Sequence, residues 1–155
     1  MDLKVAAAKF AIGKLRSEEA ISAASTALDR GLYSQSLGLL FYEEPVWHEV
    51  ERLFTKALSE LDIPVPTRDK ASLIVARDYC RQIIAGDITP YEGALRIWND
   101  LMLEPDAGSW LLDFVRLADG WEDAEQFPNQ LDRRAECDEG IIEKSKWLLR
   151  GEFDD

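Results

Sequence analysis

The helical spacing of apolar residues is the feature that most constrains the fold of this chain. In residues 45–61, apolar side chains recur at the i, i+3, i+4 and i+7 positions that share one face of an α-helix. This face is formed by Val46, Trp47, Val50, Leu53, Phe54, Ala57, Leu58 and Leu61. Pro45 suits the first turn of such a helix, where its missing N–H is not needed. Because strand-like alternation is scarce elsewhere, the chain is predicted to be all-α.

Two turn signals divide the middle of the chain. Pro64 and Pro66 interrupt the helical pattern, and Thr67 can cap a new helix that begins near Arg68 and ends at Gly86. The apolar face of that helix is predicted to be Leu73, Ala76, Cys80, Ile83 and Ile84.

The sequence Thr89-Pro90-Tyr91-Glu92 is a second helix start, with an N-cap threonine, a proline at the first position and a glutamate that can reach back. The stripe that follows is Tyr91, Ala94, Leu95, Trp98, Leu101 and Met102. With the preceding helix it is predicted to form an αα-hairpin.

The ends of the chain are also predicted to be helical. Residues 3–14 and 18–30 form two alanine-rich segments, or one kinked helix, with Ser17 as a cap and Gly31 as a stop. Residues 36–43 are assigned to a helix from their neighbours.

Beyond residue 105, a helix capped by Asp106 or Ser109 is predicted to reach Ala118. Residues 128–149 are predicted to form the last helical region, interrupted at Gly140.

Length and pattern together predict a single helical domain over residues 1–155. We expect a bundle of about six to seven helices, mostly in antiparallel αα-hairpins. A break at 63–67 would separate two helical halves, and residues 151–155 would fray.

Location and redox state follow from what the sequence lacks. It begins without a signal-peptide pattern, and no apolar run approaches the roughly 18 residues that span a bilayer. We therefore expect a cytoplasmic protein without a membrane partner. Cys80 and Cys137 have no metal or redox spacing and are expected to be reduced thiols.

The negative charge is concentrated in one half of the chain. Residues 1–77 hold 11 acidic and 10 basic residues, whereas residues 78–155 hold 19 and 8, which together give the net charge of −12. Residues 99–132 alone carry nine carboxylates and one arginine. This field repels nucleic acid, so no nucleic-acid partner is expected.

Catalytic and metal motifs are missing from the sequence. His48 is the only histidine, which excludes paired-histidine metal sites, and neither a nucleophile elbow nor a phosphate-binding glycine loop is present. His48 is most simply a surface histidine beside carboxylates. No cofactor, metal or catalytic residue is predicted.

The candidate binding site is therefore the acidic segment, which also contains aromatic residues. Trp110, Phe114 and Trp121 lie near one helical face, either as a core stripe or with Trp121 exposed as an anchor in an acidic rim. The predicted partner-binding residues are Asp113, Asp119, Trp121, Glu122, Asp123 and Glu125.

Three functions remain open at this point. The first is a non-catalytic protein that presents an acidic surface to a basic protein partner, with the general composition of toxin-immunity proteins or nuclease inhibitors. The second is an oligomeric helical scaffold, in which spare apolar faces pack against another copy. The third is an enzyme with a site of scattered carboxylates that forms no motif.

Overall fold

The computed structural model describes residues 1–104, 107–126 and 131–151. All regular structure in these residues is helical, which confirms the all-α prediction. The helices are α1 (Leu3–Ala11), α2 (Ser17–Asp29), α3 (Gln35–Phe41), α4 (Trp47–Glu60), α5 (Arg68–Ala85), α6 (Pro90–Leu101), α7 (Trp110–Gln126) and α8 (Leu131–Arg150). The described part of the chain thus has eight helices, so the predicted six to seven is too few. The residues near the N-terminus form two separate helices because Gly13 leaves α1 with a φ of 70°.

The chain forms two compact units, Met1–Ala71 and Ser72–Asp155. The boundary lies within the first turns of α5, a few residues after the proline break at 63–67. Whether the two units unfold together as the predicted single domain stays a prediction.

In the first unit, α2 packs against α1, α3 and α4. Its inward face consists of buried alanines, whose small side chains let neighbouring helices approach closely. They are Ala20, Ala23, Ala24 and Ala27. The larger side chains that fill this core come from α3 and α4, among them Leu37, Leu40 and Phe54.

A partly buried ion pair joins α1 to α2. The ammonium of Lys9, a residue only 5% exposed, lies 2.7 Å from a carboxylate oxygen of Glu19. The other oxygen of Glu19 accepts a hydrogen bond from the backbone N–H of Arg16, the N-cap of α2. Ser17, the predicted cap, is instead the first helical residue. One carboxylate thus neutralises a buried cation and closes the start of a helix.

Helix α3 is held in place by α4. It has only seven residues, too few to be stable alone. Ser34 caps it by accepting a hydrogen bond from the N–H of Leu37. Glu60, the last residue of α4, accepts hydrogen bonds from the N–H and the hydroxyl of Ser36 at 3.0 and 2.8 Å. These bonds lower the pKa of Glu60, the backbone bond most strongly.

In the second unit, α7 packs against both α6 and α8. Helices α5 and α6 meet where the Tyr79 hydroxyl donates to Asp100 at 2.6 Å and where Gly93 lies against Ile83. Later residues of α6 thus contact earlier residues of α5, as in the predicted antiparallel hairpin. A Cβ on Gly93 would come within 2.4 Å of Ile83, so glycine is needed for this close approach.

Several predicted caps agree with the structure. Thr89 accepts a hydrogen bond from the N–H of Glu92, and both Gly31 and Gly86 adopt positive φ after a helix. Glu92 does not reach back to the cap, however. Its carboxylate lies 2.6 Å from Arg96, one turn further along the helix.

Other predicted helix ends were wrong. Helix α7 continues through Gly120, beyond the predicted end at Ala118, and α8 is not interrupted at Gly140. Helix α4 begins at Trp47 rather than at Pro45. The predicted cap at Asp106 and the predicted helix start at Pro128 lie outside the described residues.

The described residues include no helix with the length and apolar character needed to cross a lipid bilayer.

The ion pair between Lys9 and Glu19 generates a stability prediction. Glu19→Gln should lower the free energy of unfolding by about 3 kcal/mol, because it removes the carboxylate that lies 2.7 Å from a buried ammonium. The double variant K9M/E19Q removes both charges, keeps an acceptor for the Arg16 N–H, and should recover most of that loss. Urea unfolding measures both, and equal stability of the two variants would contradict the argument.

The same pair predicts a dependence of stability on pH. Burial raises the pKa of Glu19, but its bonds to Lys9 and Arg16 outweigh this and hold the pKa below the usual 4.5. The stabilisation is therefore present above pH 4.5 and is lost as pH falls through the lower folded-state pKa. Acid unfolding of wild type and Glu19→Gln should converge in that range, whereas parallel curves would be inconsistent with this assignment.

Candidate functional site

The predicted binding residues Asp119, Glu122 and Asp123 are all exposed near the C-terminal end of α7. Buried residues of the same helix, Ala118 and Ala124, face the neighbouring helices. The helical period therefore separates a packed face from a carboxylate-bearing face. Glu125 belongs to α7, but its side chain is outside the described part of the structure.

Trp121 lies between two side chains from other helices. The Tyr91 ring of α6 stacks on it with centroids 4.0 Å apart and planes inclined by 11°. The Arg134 guanidinium of α8 lies 4.2 Å from the centroid of the Trp121 ring. Trp121 is therefore half-buried within its own unit, and the alternative of a freely exposed anchor does not match this arrangement.

Tyr91, in the first turn of α6, also contacts the acidic segment on α7. Its hydroxyl donates a hydrogen bond to a carboxylate oxygen of Glu122 at 2.6 Å. One tyrosine thus stacks on Trp121 and holds the neighbouring carboxylate. The position of Glu122 on the surface is fixed by α6 as well as by its own helix.

Asp138 completes this group, which we call the Trp121 cluster: Tyr91, Trp121, Glu122, Arg134 and Asp138. Burial raises the pKa of Asp138, although the Trp121 indole N–H and the Arg134 charge act in the opposite direction. Within the described residues, neither the indole nitrogen nor Oδ1 of Asp138 has a well-formed hydrogen bond. The Trp121 indole and the Asp138 carboxylate are therefore close, but they do not form a well-aligned hydrogen bond with each other.

Asp113 lies two turns earlier on α7 and has a different environment. Its carboxylate is 2.5 Å from the Lys144 ammonium of α8, which also lies 4.0 Å from the Trp147 ring centroid. Arg116 and Arg150 line the same cleft, which has a volume of about 590 Å³. The charge of Asp113 is thus compensated by cations, and the structure does not group it with Asp119, Glu122 and Asp123.

The two ends of the α7–α8 pair consequently carry opposite charge. Residues 117–138 contain seven carboxylates and two arginines, Arg133 and Arg134, whereas residues 143–150 contain three cations and one carboxylate. Those cations are Lys144, Lys146 and Arg150. The surface able to attract a cationic partner is the end that carries the Trp121 cluster.

The other residues considered from sequence show no convergent chemistry. His48 is exposed at the start of α4. Burial raises the pKa of Cys80 to about 11, and it also raises the pKa of Cys137. Across the described ranges, no three His, Cys, Asp or Glu side chains are grouped as metal ligands.

Sequence reasoning did not identify Tyr91, Arg134 or Asp138 as part of the site. Tyr91 stood in a motif that helix capping and core packing already explained. Arg134 and Asp138 are four residues apart and therefore share a helical face, which was the available signal. Nothing in the spacing indicated that this face meets Trp121.

The contacts of the Trp121 cluster lead us to expect that two substitutions lower the free energy of unfolding by different amounts. Trp121→Leu should lower the free energy of unfolding by about 2 to 3 kcal/mol, because it removes the stacking, the cation–π contact and part of the buried area. Tyr91→Phe keeps the stacking, frees Glu122 to bind water, and should cost at most about 1 kcal/mol. Urea unfolding gives both values, and a larger loss for Tyr91→Phe would refute the importance assigned to the stack.

Asp138 predicts a pH effect of the opposite sign to that of Glu19. Since its folded-state pKa lies above the usual 3.8, the native state loses stability as pH rises from 3.8 through the folded-state pKa. Asp138→Asn should therefore be more stable than wild type near neutral pH, with the gain disappearing below pH 3.8. Thermal unfolding across this range measures the difference, and a gain that is independent of pH would count against the assignment.

No family model, curated protein or solved structure matches this chain. Only the arrangement of the chain's own residues therefore bears on its function.

Proposed function

We propose that this chain is a non-catalytic binding protein that presents the acidic end of α7 to a basic surface on another protein. The observation that carries the proposal is the row of exposed carboxylates, Asp119, Glu122 and Asp123, beside the Trp121 cluster. No lysine or arginine lies between Arg116 and Arg133 in the sequence, so carboxylates outnumber the two arginines, Arg133 and Arg134, at this end of α7 and α8.

Preorganisation supports this proposal. The Trp121 cluster joins α6, α7 and α8, and the Tyr91 hydroxyl fixes Glu122. A surface that is already ordered loses less conformational entropy when it binds. Carboxylates on a packed helix are therefore better suited to tight binding than carboxylates in a flexible acidic tail.

Charge supports a basic protein rather than another kind of partner. Lysine and arginine side chains pair with exposed carboxylates, and complementary fields accelerate encounter. Nucleic acid and anionic lipid would be repelled by the same groups. Inhibition or neutralisation of a basic partner, as in immunity-type proteins, is the biological role that this surface would suit.

A charge-reversal experiment tests the proposal. Immobilised wild type and D119K/D123K are used to capture proteins from a native lysate, and E18K/D29K is the matched control because Glu18 and Asp29 are exposed carboxylates on α2. Both variants change the net charge equally. We expect a basic protein that is captured by wild type and by the control but is lost with D119K/D123K.

The purified partner is then titrated against the chain at increasing salt concentration. Its affinity should fall by about tenfold or more as screening increases, because exposed ion pairs would provide much of the attraction. The proposal fails if no captured protein depends on Asp119 and Asp123. It fails equally if binding of the captured protein is insensitive to salt.

A further inference from the structure

The outward face of α3 is apolar, although it lies in solvent. Tyr33, Leu39 and Tyr42 are 72%, 53% and 84% exposed. Leu39 and Tyr42 are three residues apart and share a helical face. Tyr33 lies against the same face, because a Cβ on Gly38 would be 3.3 Å from its ring.

Phe41 extends this apolar region at the end of the helix. It is exposed, and its ring packs edge-on against Tyr42 with centroids 4.8 Å apart. By comparison, α4 has an ordinary amphipathic pattern with a polar solvent face. The exposed residues from its second position onward are His48, Arg52, Thr55, Lys56, Ser59 and Glu60. Contiguous exposed aromatic side chains of the kind seen on α3 are typical of interaction sites.

The stretch of sequence that contains these aromatic residues carries charge of one sign. Residues 31–51 contain four glutamates and neither lysine nor arginine. Glu44 is exposed and Glu43 half-buried directly after Tyr42, whereas Glu49 pairs with Arg52 at 3.1 Å. The apolar face is therefore bordered by carboxylates that have no cation within the same stretch of sequence.

We propose that this α3 surface, defined as Tyr33, Leu39, Phe41, Tyr42, Glu43 and Glu44, binds an amphipathic segment of another protein that carries Lys or Arg beside its apolar residues. The aromatic side chains would cover the apolar stripe of that segment, and the two glutamates would pair with its cations. A second copy of this chain is a poorer occupant. A two-fold contact through the same surface would oppose glutamates with glutamates.

This surface belongs to the first unit and shares no residue with the Trp121 cluster. It would therefore be a separate binding site, and its test does not depend on the function proposed for the acidic end of α7.

The test uses a synthetic peptide with Leu at the i, i+3, i+4 and i+7 positions and Lys at the remaining positions. As a helix it has one apolar face and one cationic face. Binding of the labelled peptide to the full chain is followed by fluorescence anisotropy. L39S/Y42S removes apolar area without changing the charge and should weaken binding by about tenfold. The matched control L103S/L112S removes two equally apolar, exposed leucines elsewhere and should bind as wild type does.

A second pair of variants tests the charge. E43Q/E44Q should weaken binding, whereas E18Q/D29N removes the same charge from exposed positions on α2 and should leave binding unchanged. A peptide with Glu in place of Lys should not bind. Tyr42→Ser alone provides a milder variant, and circular dichroism checks that each variant is folded.

Three results would overturn the proposal. One is equal affinity of wild type and folded L39S/Y42S for the Lys peptide. Another is equal weakening by E43Q/E44Q and E18Q/D29N, which would indicate general attraction to an acidic protein. The third is a wild-type dimer in sedimentation that L39S/Y42S dissociates, which would identify a second copy as the occupant.

Discussion

The contact of Trp121 with Tyr91 and Arg134 is the interaction on which the organisation of the second unit depends. An indole ring has two faces, and here each face is covered by a different helix. The tyrosine contributes stacking and a hydroxyl that holds Glu122, while the arginine brings a cation against the ring. Packing of the Trp121 ring thus brings a cation from α8 and the positioned carboxylate of Glu122 into the same part of the unit. The contacts that pack these helices together therefore also fix the positions of charged groups in this part of the molecule.

The sequence allowed the helical class and several helix ends to be predicted, since these depend on local chemistry. Thr89 caps α6 through its own side chain, and Gly31 and Gly86 adopt the backbone conformation for which glycine is favoured. Prediction failed where glycine serves a tertiary contact instead. A Cβ at Gly140 would lie 2.8 Å from Leu117, so glycine admits the neighbouring helix there, whereas a Cβ at Gly120 would meet Cys137 at 3.4 Å, an ordinary contact distance. A single sequence does not distinguish a glycine that ends a helix from one that admits a neighbouring helix.

The same distinction applies to the candidate sites. Exposure of Asp119, Glu122 and Asp123 follows from helical period, whereas the partners of Trp121 lie 30 residues before it and 13 residues after it. The apolar outer face of α3 also escaped prediction, because seven residues are too few for a reliable period. Both surfaces place carboxylates beside aromatic rings, but Tyr33 and Tyr42 of the α3 surface are largely exposed, whereas Trp121 is half-buried.

The start of helix α3 is capped by Ser34 and is also held by Glu60 at the end of α4, which accepts hydrogen bonds from the N–H and the hydroxyl of Ser36, 24 positions away. Because of the contact with Glu60, the stability of this seven-residue helix depends on the packing of α4 against it. Folding of α3 is therefore expected to follow the docking of α4, and local opening of α4 would release α3 with it. The aromatic side chains on α3 would then exist as an ordered surface only in the closed state. These aromatic side chains would therefore be ordered on the surface only while the whole first unit is folded.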